Sequence, residues 1–117
     1  MRTDRELLEL AAKAVGYRKF QYCETSGSWQ AIYVDDDGVG FWMPLTDDGD
    51  NRRLQIKLRL GLVPLDGGGW DCITWDHDEE ITLATDIDPN RAIVRAAAEI
   101  SAQAHPKQHT DGGAAYE

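Results

Sequence analysis

The sequence predicts an α+β domain in which a mainly antiparallel sheet has about three helices packed on it. Three observations lead there. Segments with helical apolar spacing lie near both ends of the chain, strand-like stretches arrive in pairs joined by turn formers, and a capped, charged segment separates the two pairs. The 117 residues are the size of one domain, large enough to bury roughly two-thirds of the surface the unfolded chain exposes.

The first helix is marked by Thr3 and Glu6, which fit a capping box in which hydroxyl and carboxylate satisfy each other's orphan backbone donors. Leu7, Leu8, Ala11, Ala12 and Val15 follow at helical spacing, and Gly16 stands where a left-handed stop belongs. Residues 17–23 and 29–34 are aromatic and β-branched, with turn formers at 24–28, and read as two strands. Asp35-Asp36-Asp37-Gly38 is a further turn, and the short aromatic segment 39–43 completes a hairpin around its Asp-Gly pair.

Residues 46–60 carry two patterns. Leu54, Ile56, Leu58 and Leu60 alternate with polar residues at the period of a strand. Yet Thr46, Asp47, Asp48 and Asp50 suit a helix N-terminus, and Arg52, Arg53, Lys57 and Arg59 lie toward its C-terminal end. The charge layout and the family resemblance carried by residues 42–58 both favour a helix, and a helix is expected. Gly67-Gly68-Gly69 is a loop before a second strand pair, 70–75 and 80–84, with Trp70, Cys72 and Thr74 on one face and Ile73 and Trp75 on the other. In the last helix Asp88 is the N-cap, Pro89 the first helical position, and Ala92, Ile93, Ala96, Ala97 and Ile100 one closely packing stripe. Residues 1–104 form a single α+β domain, and the polar residues 105–117 are expected to be a disordered C-terminal tail. No internal sequence repeat is visible.

Twenty-one acids against twelve bases give a net charge of −9. The acids are clustered: six and no base from Asp35 to Asp50, eight and no Lys or Arg from Leu65 to Asp88. Such a surface repels phosphates, so direct nucleic-acid binding is not expected. A partner protein with a basic face, a cation, or simple solubility remain as meanings of the charge. Arg2, Asp4, Arg5 and Glu6 interrupt the place of a signal-peptide core, and no apolar run approaches the roughly 18 residues of a membrane helix, so a cytoplasmic protein is expected. Cys23 and Cys72 are expected to be free thiols.

The candidate binding residues are Trp42, Asp47, Asp48, Asp50 and Trp75. In the segment from Phe41 to Asp50, Trp42 is either an anchor on a recognition surface or, with Leu45, a pin at the start of a helix that the acids cap; the structural reading is favoured. Asp76 and Asp78 would point the same way on an extended chain and could share a hard cation with Glu80, but neither acidic segment has the spacing of an EF-hand loop. No metal or other cofactor is expected. His77, His105 and His109 are the only histidines, and there is no nucleophile elbow, phosphate-cradling glycine motif or HExxH, so no catalytic residue is assigned and an enzyme is not expected.

Trp42-x-Pro44-Leu45-x-Asp47-Asp48-Gly49-Asp50, followed by Arg53-Leu54 and Lys57-Leu58, resembles the W-N-P-L-x-D-D-G-D-A-x-R-L-x-V-K-L stretch of the phage ABA-sandwich domain, a family of small uncharacterised phage and prophage proteins. The segments from Arg5 to Ala14 and from Arg91 to Ile100 resemble its first and last helices, so the likeness brackets residues 3–104. Met43 replaces the usual Asn, and Asn51-Arg52 replaces the Ala-containing pair, so no role for that Asn carries over. The resemblance implies an α/β sandwich and a phage context, and no activity. With the acidic segments it leads to the expectation of a phage or prophage accessory protein in the bacterial cytoplasm. Such a protein would bind a host or phage protein through an acidic, aromatic-containing surface. The alternatives are a nucleotide-sequestering protein using the tryptophans with Arg52, Arg53, Arg91 or Arg95, a virion or assembly component, and, trailing these, a cation-dependent hydrolase.

Overall fold

The computed structural model describes residues 2–24, 30–35 and 40–104. The expected tail at 105–117 and the turns at 25–29 and 36–39, Trp29 among them, lie outside the described residues. The elements run α1 (Asp4–Ala14), β1 (Phe20–Glu24), β2 (Gln30–Val34), β3 (Gly40–Trp42), α2 (Asp48–Leu58), β4 (Gly61–Pro64), β5 (Trp70–Asp76), β6 (Glu79–Asp86) and α3 (Pro89–Ala104). The fold is α+β with three helices, and its antiparallel strands form two three-stranded sheets, β1-β2-β3 and β4-β5-β6, each in sequence order. The order α-β-β-β thus occurs twice before the last helix, a repetition of architecture that the sequence does not show.

Local chemistry explains most boundaries. Glu6 N donates to Thr3 Oγ1 at 3.2 Å and Thr3 N to Glu6 Oε1 at 2.8 Å, closing the capping box of α1. Gly16, at φ 92°, turns the chain out of that helix. The helical reading of the ambiguous segment holds, because α2 is closed at both ends. Asp47 caps its start, and Arg59, at φ 57°, ends it with Leu60 N donating to Gln55 O and Arg59 N to Ile56 O, a Schellman pattern. Within α2 the alternating residues do not share a face: Leu54 is buried while Ile56 is exposed.

The sequence reading assigns no element to 61–64, where the structure has β4. This strand is short, begins at a glycine and ends at Pro64, which is tolerated because β4 lies at the sheet edge. The glycine triplet is therefore a hairpin connection, all three residues at positive φ, with Leu65 N donating to Gly69 O at 3.0 Å. In β5, Trp70 and Cys72 join the main core; Ile73 instead lies over Gly61, where an added Cβ would meet Ile73 Cγ1 at 3.2 Å. Cys72 pairs with Ala84 and Ile73 with Thr82, leaving Leu83 as the extra residue of a bulge in β6.

One cluster of buried side chains draws on both halves of the chain, from Leu8 of α1 and Ile32 of β2 to Leu54 of α2, Cys72 of β5 and Ile93 of α3. Helix α1 packs over β1 and β2, α3 packs over β5 and β6, and α3 lies against both α1 and α2. Among the described residues the two sheets share no strand pairing, and the helices join them. Ala92, Ala96, Ala97 and Ala98 are fully buried, which lets α3 approach its neighbours closely. Among the described residues, no helix is long and apolar enough to cross a membrane.

Candidate functional site

The five candidate residues separate into two groups. Trp42 is 4% exposed, with its ring edge-on to Tyr17 at a centroid distance of 5.4 Å. It is a core residue and is not available as a surface anchor. Asp47 Oδ2 accepts from Asp50 N at 2.8 Å, the N-cap bond of α2. Asp50 Oδ2 accepts from Met43 N at 2.9 Å, tying the segment before the helix to its first turn, and Oδ1 accepts from Arg53 Nη2 at 2.8 Å. That last bond raises the pKa of the exposed Arg53 guanidinium. Asp48 Oδ1 accepts from Asn90 Nδ2 at 2.9 Å, across to α3. The buried Asn51 donates to both Pro44 O and Asn90 O, at 2.9 and 3.0 Å. The Trp42–Asp50 segment is thus a lock that starts α2 and fastens it to α3.

Trp75 stands apart, 62% exposed near the end of β5 and directly across from Glu80 of β6. The β5–β6 connection is a two-residue turn in which His77 and Asp78 both have positive φ, 53° and 69°, the mark of a type I′ turn. Asp76, Asp78, Glu79 and Glu80 are all exposed around it. Asp76 Oδ1 lies 2.7 Å from His77 Nδ1, but among the described residues no Lys or Arg pairs with these four acids. The physical cause is in the sequence: between Arg59 and Arg91 there is no Lys or Arg at all. Among the described residues, the Lys or Arg contacts to acids of the β4–β6 sheet come from α3, where Arg91 and Arg95 reach Asp86.

The cation trio considered for Asp76, Asp78 and Glu80 is not assembled, because Asp78 sits in the turn and the strand alternation ends at Asp76. Among the described residues, no three His, Cys, Asp or Glu side chains converge to hold a metal ion. Both cysteines are free. Burial pushes the Cys72 thiol up to about 12, so it is not a nucleophile at neutral pH.

The structure also builds a site the sequence reading did not assemble. A cleft of about 630 Å³ opens where α1, β6 and α3 meet, lined by Arg2, Glu6, Asp86, Arg91, Arg95 and Glu99 with apolar surface between them. The signal that could have found it is the spacing of Arg91, Arg95 and Glu99, one helical turn apart on a mostly alanine and aliphatic helix. Arg52 and Arg53, considered with them as nucleotide contacts, are exposed on α2 and do not line it. Comparisons with protein-family models, with curated proteins and with solved structures found no match to this chain.

Proposed function

We propose that this chain is a non-enzymatic binding protein that engages a basic segment of a partner protein through the β5–β6 hairpin. The observation that carries the reading is Trp75, 62% exposed among four exposed carboxylates in a sheet with no Lys or Arg of its own. An exposed indole offers an arginine or lysine side chain a cation–π face, and adjacent unpaired acids supply complementary charge. The phage-like block around Trp42 supports a role as a phage or prophage accessory protein in the bacterial cytoplasm, aimed at a host or phage protein with a basic face.

The test is titration of a labelled Arg/Lys-rich peptide at low and high salt. Binding should weaken steeply with salt, fall with Trp75→Ala, and fall with the Glu79→Lys/Glu80→Lys pair. Glu9→Lys and Asp35→Lys together change the net charge equally and should leave it unaltered. If the two charge-reversed proteins lose binding equally, the attraction belongs to the net charge of the molecule and the proposed surface is wrong.

A further inference from the structure

Helix α3 is buried around most of its circumference, and its half-exposed Arg91, Arg95 and Glu99 fall on one line. That line is one wall of the cleft between α1, β6 and α3. Arg2 stands on another, and the partly exposed Leu83 supplies apolar surface above the buried Leu7. Among the lining residues formal charges balance, with Arg2, Arg91 and Arg95 against Glu6, Asp86 and Glu99, and Asp4 at the start of α1 adds one further carboxylate on Arg91. The hydrogen-bond inventory does not balance. Asp86 has both oxygens engaged, Oδ1 accepting from Asp88 N and Oδ2 from Arg95 Nη1, each at 3.1 Å. Glu6 Oε1 is committed to Thr3 N in the capping box.

A guanidinium carries five N–H donors in a planar fork. Arg95 directs only Nη1 to protein acceptors, Asp86 Oδ2 and Thr85 O at 2.7 Å. Arg91 bonds Asp4 Oδ1 through Nη2 at 2.6 Å, while its Nε is 3.8 Å from Asp86, beyond hydrogen-bond reach. Arg2 makes one 3.4 Å contact with Glu99. Among the described residues, Nε and Nη2 of Arg95, Nη1 of Arg91 and Nε and Nη2 of Arg2 have no protein acceptor. The carboxylates hold Arg91 and Arg95 in place without using up their donors, and Arg2 adds a third, loosely held guanidinium.

We infer that this cleft binds the oxyanion headgroup, phosphate or carboxylate, of a small organic molecule whose apolar part lies on Leu83. Guanidinium forks match the oxygens of both headgroups, and the apolar surface between them favours a headgroup that carries a hydrocarbon or ring. The surrounding acids limit the charge the cleft accepts: a polyphosphate would meet Glu6, Asp86 and Glu99. The volume lies within the range of small-molecule sites. This inference does not depend on the hairpin surface proposed above.

The experiment is an NMR titration of the isotope-labelled full chain with phenyl phosphate, benzoate and inorganic phosphate at constant ionic strength. Saturable amide shifts are expected in residues 83–95 and at the start of α1, with phenyl phosphate or benzoate tighter than inorganic phosphate. Whichever of the two organic probes wins identifies the headgroup. Arg95→Ala should weaken binding about tenfold, the loss of one charge-assisted fork. Arg2→Ala, which removes only the loose 3.4 Å pair and leaves the fold intact, should weaken it too. Arg59→Ala, outside the cleft, should not. Shifts that never saturate, that spread over arginines outside the cleft, or that persist unchanged in the Arg2 and Arg95 variants would overturn the inference.

Discussion

Two segments of this chain are built from the same kinds of residue. Trp42 leads into Asp47, Asp48 and Asp50, and Trp75 into Asp76, Asp78, Glu79 and Glu80. In the first, the indole is buried against Tyr17, and Asp47 and Asp50 accept bonds from backbone N–H groups at the start of α2. In the second, the indole is exposed and the acids surround a two-residue turn with, among the described residues, no Lys or Arg to pair with. What separates them is the supply of donors. A helix start offers orphan N–H groups that carboxylates satisfy, whereas a tight hairpin spends its N–H groups on the opposite strand and leaves its carboxylates to solvent or to a partner. Aromatic-acidic composition is therefore no guide to a binding surface until the backbone around it is known.

That contrast breaks or holds by mutation. Trp42→Ala should cost about 3–5 kcal/mol in denaturant unfolding, the usual range for a buried tryptophan; Trp75→Ala should stay within about 0.5 kcal/mol, as an exposed position does. Equal losses at the two sites would erase the distinction. Asn51→Ala leaves Pro44 O and Asn90 O without their shared donor and should cost about 1–3 kcal/mol. Asp47→Ala removes the N-cap and should cost about 1 kcal/mol, with Asp47→Asn recovering most of it. As small as for Trp75→Ala, the effect of Glu79→Lys with Glu80→Lys on the free energy of unfolding should stay within about 0.5 kcal/mol. A marked stabilisation by that pair would mean the acids repel one another strongly in the native hairpin, a strain that selection for binding would account for.

Much of the fold is legible in the sequence because its signals are local. Thr3 and Glu6, Asp47, Asp88 and Pro89 mark helix starts by groups three residues apart, and both hairpin regions show as aromatic and β-branched pairs. For the helix over 48–58, the charge placement and the family resemblance point to the structure found, against an alternation that pointed to a strand. β4 was not legible: four residues bounded by glycine and proline carry too little pattern, and they become a strand only by pairing with β5. The site was harder to read than the fold. Nothing near Trp42 or Trp75 in the chain distinguishes a buried indole from an exposed one, since burial depends on Tyr17 and on the neighbouring elements that close over β3.

By itself, the sequence determined the helix caps, the paired strands and a stretch of thirty-one residues, 60–90, with no Lys or Arg. These are properties of neighbours along the chain and of composition, and they hold however the elements are packed. Only the tertiary structure divided the strands into two sheets, buried one tryptophan and exposed another, and drew Arg2 to within reach of Glu99 at the far end of the chain. Those outcomes depend on contacts between residues distant in sequence, and such contacts exist only after the apolar faces of α1, α3 and the two sheets have found one another.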